Sequence, residues 1–577
     1  MDRARAISPA DSRPNGITLP PRRDFLLAIA GGLCLAGVHG IHHIYSNQTQ
    51  YFLLGFRLAD RGFIPLDWFV WSTTHHHFAF GYFQAALQKI GGFLYTAIAT
   101  QVALTIGFAF GLLLLTRRFC RHSIPVYLLV LLWLGLSDPF QAGIGGFSLI
   151  SNFLQPSGVA GALMILGMAL LFDRRFAQAG ICLALGGLFH ASILLAMAPS
   201  VCVLAYMSQP WRHRRDLLSF SLPIVVLWGV VFVFLVRHGL GEDPLLLEGL
   251  RVQFQVRSPH HHLLALWNHR QTASWLLWMT AGVWALLHAG PDRRYRELRT
   301  VFAVSTLTVL AGVVLANWPE TRSTVLAKIN LLPLFRIGAW PFLLALVVFL
   351  DRWADLFFGD GSTTRRGGFC AGLMIVAGAA WVATTPFAGP RLLRVLWILA
   401  LPAIRATAGL AKRLRVQGLS ARRLTHALLI GLIIIALRGL VNRSTVWRVE
   451  PFAEILETIR EQTPADAILV TPVLMDKTRV LAHRAVVVDE KCFSAVPSES
   501  VAWYRRMCDV CGLTPKPRSG RPRWEDGYRE LDTARALKLK RLYGATHVVV
   551  ERSAHRGSTR GLIEVDRGPR FRLLRIP

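Results

Sequence analysis

The segment Leu58-Ala-Asp60-Arg-Gly-Phe-Ile-Pro65-Leu-Asp67-Trp-Phe-Val-Trp-Ser-Thr-Thr-His75-His76-His77 follows the first long apolar run of the chain and precedes the second. Two carboxylates and three histidines therefore stand between two hydrophobic stretches. Titratable groups beside a bilayer are costly to hold and tend to mark function. The surrounding chain fits that setting. Of 577 residues, 53% are hydrophobic and 17% are charged, and the mean hydropathy is +0.41. A soluble chain of this size needs a polar shell, so the composition points to a polytopic α-helical membrane protein.

The net charge of +30 does not indicate a nucleic-acid partner, because no nucleic-acid-binding module is visible. The basic residues come in short bursts between apolar runs: Arg22-Arg23, Arg117-Arg118, Arg174-Arg175, Arg212 to Arg215, Arg293 to Arg296, Arg365-Arg366 and Lys412 to Arg415. Placing every burst in the cytoplasm satisfies the positive-inside rule throughout. It predicts about thirteen transmembrane helices, near 25–46, 93–115, 123–141, 157–172, 177–190, 192–207, 217–238, 272–289, 300–317, 331–350, 369–386, 392–405 and 426–441. The first run reads as a retained signal anchor after a cytoplasmic tail over 1–24. The membrane part spans 25–442, with an outer loop at 47–92. Further outer loops are expected at 142–156, near His190, at 239–271 and at 317–330. The setting this implies is a multi-pass membrane protein with the N-terminus inside and the C-terminus outside, which in a bacterial inner membrane is the periplasm.

Residues 443–577 read differently. Glu450 to Thr463 has helical spacing and stops before Pro464. Ala467–Thr471, Ala485–Asp489 and Thr546–Glu551 are short β-branched runs of the fully buried kind. Helical stretches near 498–511 and 525–543 separate them, so a small α/β domain is expected. Phe571 to Ile576 reads as an added edge strand. Residues 514–523 read as an exposed loop rich in Pro, Arg and Lys.

The polar residues that structure alone explains poorly gather on the expected outer side. Asp60 and Asp67 are candidates for a general base, which needs a carboxyl held near a reacting hydroxyl; the structural alternative is that each caps a turn or helix. His75, His76 and His77 suit a divalent metal, a phosphate or a sugar hydroxyl, or simply an interfacial place. Gln155-Pro156-Ser157 opens a helix, either as an anion site or as an ordinary start. His190 falls where two short helices meet. Arg257, His260 and His261 share one loop with Arg251 and suit phosphate contact or anionic headgroups. Lys328 and Arg336 flank the start of the tenth helix, and Arg336 lies in an apolar run where a guanidinium needs a partner. Cys508 and Cys511 lack the strand-then-helix context of a redox site. A structural disulfide involving Cys492 is an alternative.

Taken in order, Leu58–Asp60, Pro65–Phe69, His75–His77, Gln155–Ser157, Gly187–His190, Ser258–His261 and Pro333–Arg336 resemble the GT-C superfamily of integral-membrane glycosyltransferases. The tail segments Thr463–Pro472, Arg484–Asp489 and Tyr543–Val550 match in style. The resemblance covers nearly the whole chain and implies transfer of a sugar from a polyprenyl-phosphate donor to an acceptor, as yet unknown, outside the cytoplasm. It implies Asp67, or failing it Asp60, as the base that activates the acceptor. It implies Arg336, Arg257, His260 and His261 as phosphate contacts, with His75, His76, Gln155, His190 and Lys328 as further substrate contacts. The loop acids stand apart here, whereas many members of this class carry adjacent acids or a second acid in another outer loop.

Two other functions fit a polytopic chain. A transporter or flippase of lipid-linked sugars expects ionisable residues in mid-helix and helices broken in paired halves. A non-catalytic envelope assembly protein expects only a folded tail. The gathering of polar residues on one side favours transfer chemistry.

Overall fold

The computed structural model of the chain describes residues 22–75, 77–136, 151, 153–239, 243–262, 264, 267, 269–287, 294–317, 334–358, 421–444, 450, 452–514 and 523–577. Long apolar helices dominate. Six are long and apolar enough to cross a membrane among the described residues: Leu94–Phe119, Ala191–Ser208, Arg214–Val233, Tyr295–Asn317, Leu334–Arg352 and Thr425–Arg443. Shorter apolar helices run over Ser123–Gly135, Pro156–Phe172, Phe176–Phe189 and Trp278–Leu287. The helices expected at 369–386 and 392–405 lie outside the described residues.

The first helix, Arg22–His39, ends earlier than its apolar run suggests. Gly40 takes a positive φ of +79°, and a Cβ there would sit 2.8 Å from the Arg443 carbonyl carbon. The chain turns where only glycine fits, against the end of the Ala421–Arg443 helix. Elsewhere small residues let helices close on one another, as is common in membrane bundles. Gly180 is one such case, since a Cβ there would lie 2.3 Å from the Phe220 carbonyl oxygen.

One end of the bundle is tied by basic turns and isolated acids. Arg117 reaches Asp24 at 2.5 Å, and Arg118 and Arg174 approach Glu297 at 3.3 and 3.9 Å. Asp351 accepts from the Arg121 amide at 2.9 Å and from the Tyr295 hydroxyl at 2.6 Å.

The opposite end carries the 47–92 segment. It is folded into short helices over Gln48–Tyr51, Leu53–Ala59, Trp68–Ser72 and Phe78–Gly91. Pro65 and a positive φ at Ile64 separate the second of these from the third, so Asp60 and Asp67 do not share a helix face. Asp67 caps Trp68–Ser72 by accepting from the Val70 amide at 3.0 Å.

The tail folds as a five-stranded sheet with helices packed on it. The strands are β1 (Ile468–Val470), β2 (Ala485–Val486), β3 (His547–Glu551), β4 (Ile563–Arg567) and β5 (Phe571–Arg575), in the order β2-β1-β3-β5-β4. β1 is parallel to both β2 and β3, while β5 is antiparallel to β3 and β4. The central strands are the β-branched runs, buried as such runs require. Phe571–Arg575 is not the edge. Ile563–Arg567 covers it, and its charged, largely exposed side chains hid that strand from hydropathy reading. The helices of the tail are Ala453–Gln462, Thr478–Leu481, Pro497–Cys511, Trp524–Arg529 and Thr533–Tyr543.

Candidate functional site

The tail sits on the end of the bundle that carries the 47–92 segment. One apolar cluster joins Leu53, Phe63, Phe69 and Val70 of that segment to Val480 and Cys492 of the tail. A second joins Val252 and Val256, on a π-helical turn over Val252–Arg257, to the tail core around Trp503 and Met507. Gly249, just before this turn, faces Pro497 so closely that a Cβ would lie 2.4 Å from the Pro497 Cα.

Beside this junction a polar cluster forms from four separate parts of the chain. The ring of Tyr51 lies edge-on to His77 with centroids 5.0 Å apart, and His77 lies 4.9 Å from His190. His190 caps the junction of Phe176–Phe189 and Ala191–Ser208, with its Nδ1 3.1 Å from the Ser192 hydroxyl. Arg336, on a 3-10 turn over Leu334–Gly338, donates from Nη1 to the same hydroxyl at 3.0 Å. Burial pushes the Tyr51 phenol up, and Arg336 and Arg257 act on it in the opposite sense. The same tyrosine thus feels guanidiniums from two different elements. Arg257 also lies 5.9 Å from the Phe493 ring of the tail, and Gln50 donates to the Phe493 carbonyl at 2.5 Å. Two guanidiniums, two imidazoles and two hydroxyls in one half-buried place make a set suited to an anionic ligand such as a phosphate ester.

His190, Arg257 and Arg336 therefore come together as candidate residues. His75 does not join them. It is turned toward the Val70 carbonyl at 3.2 Å and lies edge-on to Phe69, and burial lowers it to about 4, opposed by that carbonyl and by Asp67. Gln155 stands at the head of Pro156–Phe172 and donates to the Ser151 hydroxyl at 3.0 Å, while Gln48 holds the preceding Leu154 carbonyl at 3.2 Å. His260 and His261 stand on the short helix Pro259–His262, directly after the turn that carries Arg257. His76 and Lys328 lie outside the described residues. Cys492, Cys508 and Cys511 are free and buried, so the disulfide raised as an alternative is not formed in this structure. Among the described residues, no three His, Cys, Asp or Glu side chains are grouped to hold a metal.

The two loop acids have opposite environments. Asp60 is exposed and accepts from the Gly62 amide at 2.8 Å. Asp67 is 1% exposed. Its Oδ1 accepts from the Val70 amide, and its Oδ2 accepts from Arg479 Nε at 2.7 Å and from the Val486 amide at 2.9 Å. Arg479 is equally buried, pairs also with Asp489, and donates to the Val486 carbonyl at 2.8 Å. Asp67 is thus tied into the tail across more than 400 residues of sequence. Tyr51, Ser192, Phe493 and Arg479 were not singled out by sequence. Tyr51 alone left a trace, in the polar run Gln48-Thr-Gln-Tyr51 directly after an apolar helix.

A family described as a domain of unknown function, DUF6798, matches residues 450–510. No curated protein is similar in sequence at a significant level. Among solved structures, ArnT from Cupriavidus metallidurans in the apo state is similar at 14% identity and a TM-score of 0.45, covering 96% of this chain and 97% of its own. The arabinofuranosyltransferase AftD from Mycobacteria is similar at 14% identity and a TM-score of 0.41, covering 97% of this chain and 40% of its own.

Proposed function

We propose that this chain transfers a sugar from a polyprenyl-phosphate donor to an acceptor at the tail-bearing face of the membrane, which we place on the periplasmic side. The observation that supports this most is the convergence of Arg336 and Arg257 on Tyr51, beside His77, His190 and Ser192. A departing lipid phosphate gains negative charge as the glycosidic bond breaks. Fixed guanidiniums stabilise that charge more in the transition state than in the ground state. Arg336 stands at the start of an apolar span, Leu334–Arg352, where a lipid carrier's headgroup meets the protein. The sequence resemblance to GT-C glycosyltransferases supplies the reaction class, and the basic turns with Arg117, Arg118 and Arg174 at the other end of the bundle support the sidedness.

The acceptor hydroxyl needs a base. Asp67 has both oxygens engaged inside the protein, so we assign the role to Asp60. It follows the Leu53–Ala59 helix, nine residues after Tyr51, or roughly 13 Å at helical rise. The side chains and one sugar ring span that distance. The test uses the full-length protein in lipid nanodiscs with undecaprenyl-phosphate sugars as donors. Asp60→Asn is expected to bind donor as well as the unaltered chain and to lose transfer by two orders of magnitude or more, roughly the worth of a general base. Arg336→Gln is expected to lose donor binding itself. Full transfer by Asp60→Asn would remove the base assignment, and failure of the unaltered protein to bind any polyprenyl-phosphate compound would remove the whole reading.

A further inference from the structure

The tail touches the 47–92 segment on both sides of the polar cluster. Before Tyr51, Thr49 donates to Asp476 at 3.3 Å and Gln50 donates to the Phe493 carbonyl at 2.5 Å. Before His77, the amide and the hydroxyl of Thr74 both donate to Glu499 at 2.9 Å. Glu499 is itself steadied by the Ser494 hydroxyl. On the Arg257 side, Asp243 accepts from the Ser498 amide at 2.9 Å. The contacts to the 47–92 segment lie within a few residues of a member of the cluster: Gln50 adjoins Tyr51, and Thr74 precedes His77 by three.

Between the two contact points runs the stretch that holds Asp67. There the tail makes a contact that is both charged and fully buried, the Asp67–Arg479–Asp489 triad. Arg479 uses three nitrogens on three acceptors, from Asp67, Asp489 and the Val486 carbonyl. That geometry suits the planar fork of a guanidinium and no other side chain. Asp489 is held in turn by the Lys491 and Cys492 amides at 2.8 and 2.7 Å. Phe493 follows directly in sequence. The guanidinium of Arg506 is sandwiched between Trp68 of the loop, 4.5 Å away, and Tyr543 of the tail, 4.4 Å away.

We propose that the C-terminal domain is a positioning element of the polar cluster, with Arg479 as its anchor and Asp67 as the loop residue it grips. In this assignment Asp67 is a positioning residue that acts through the loop, setting Tyr51 and His77 against Arg336, Arg257 and His190. The proposal takes the cluster as the ligand site described above, but its first readout needs no ligand.

That readout is amide hydrogen exchange on the full-length protein in nanodiscs. In Arg479→Met, residues 48–77 are expected to exchange roughly tenfold or more faster, as expected for local opening. Strands β1 and β3 are expected to keep their protection. Arg479→Lys restores a charge without the fork and is expected to recover only part of it. If Arg479→Met also loses the protection of β1 and β3, Glu499→Ala carries the test, with faster exchange expected over 72–78. Unchanged exchange in 48–77 in these variants would overturn the proposal. The second readout is binding of undecaprenyl phosphate. Arg479→Lys is expected to weaken it severalfold with a changed exchange pattern, whereas Arg336→Gln weakens it with exchange over 48–77 unchanged. If the unaltered chain binds no undecaprenyl phosphate, the transfer reading fails while the exchange result still decides whether the tail positions the loop.

Discussion

The two ends of the helical bundle use arginine in opposite ways. At the end with the basic turns, the guanidiniums of Arg117, Arg118 and Arg174 are 37–54% exposed and reach single acids on neighbouring helices. At the other end, Arg479 is 1% exposed and bridges two buried carboxylates from distant parts of the chain. Exposed pairs are screened by water and salt and contribute little. A buried pair loses its hydration, and its worth lies in geometry, because removing one partner strands the other charge in a poor dielectric. The first end can therefore vary at small cost, whereas the second fixes where one loop sits.

The sharpest way to break this contrast is Arg479→Met. It leaves Asp67 and Asp489 facing each other without a cation. A loss of about 3–5 kcal/mol in unfolding free energy is expected, the usual penalty for a buried charge left alone. Chemical denaturation of the tail, followed by its tryptophans Trp503 and Trp524, reads it out. A loss under about 1 kcal/mol would place Arg479 in the same class as the exposed arginines.

A smaller effect is expected where the tail meets the Leu246–Arg251 helix. In Gly249→Val the new side chain has no free space, because Pro497 backbone and ring atoms lie 2.4–2.6 Å from the Cβ position. Overpacking of this kind costs about 1–3 kcal/mol. The tail is expected to be cleaved faster by limited proteolysis, with the membrane helices unaffected. Equal cleavage rates would mean that this contact does not help to hold the tail.

Much of the bundle was legible because hydropathy and charge act locally. The runs at 93–115, 192–207 and 426–441 recur as Phe93–Phe119, Ala191–Ser208 and Ala421–Arg443. Capping residues and basic turns sit next in sequence to the helices they end. The central strands of the tail were legible for the same reason, since β-branched runs announce themselves. The candidate site was only half legible. Arg336 and Arg257 stood out as charges in apolar or histidine-rich surroundings. Tyr51 and Ser192 are ordinary residues made special by neighbours far along the chain. Asp67 shows the limit most plainly. Its place beside a membrane segment suggested an acid for catalysis, and its partner Arg479 lies in Thr478-Arg-Val-Leu481, a stretch with no local mark of function. Pairings across hundreds of residues leave no trace in periodicity.

Acid pH offers a test that separates the loop from the tail, because two half-buried groups at their junction respond in opposite senses. His75 is lowered by burial to about 4, below its ordinary value. Its contribution to stability is present above about 6.5 and is lost as pH falls through about 4. Asp476, beside Thr49, is raised to about 6 by burial and by Asp489. Its contribution is present below its ordinary value of about 4 and is lost as pH rises through 6. Between pH 4 and 6.5, His75→Gln is expected to gain stability relative to the unaltered chain on acidification. Over the same window Asp476→Asn is expected to lose relative stability. Thermal unfolding at several pH values measures both, and parallel curves for all three proteins would show that neither group is held as the geometry implies.

The smallest effect is expected at the opposite end. Arg118 lies 3.3 Å from Glu297, which Arg174 also approaches at 3.9 Å. Removing Arg118 leaves Glu297 a second cation, and the acid sits at the start of the Arg294–Asn317 helix, where the helix dipole also favours it. Arg118→Ala is therefore expected to cost no more than about 1 kcal/mol. Because the pair is exposed on the arginine side, even that difference should shrink when salt is raised from roughly 0.05 to 0.5 M, as the Debye length falls to a few ångströms. Paired denaturation curves at the two salt concentrations decide it. A salt-independent loss comparable to that of Arg479→Met would mean that charge fixes helix positions at both ends, and the contrast between them would fall.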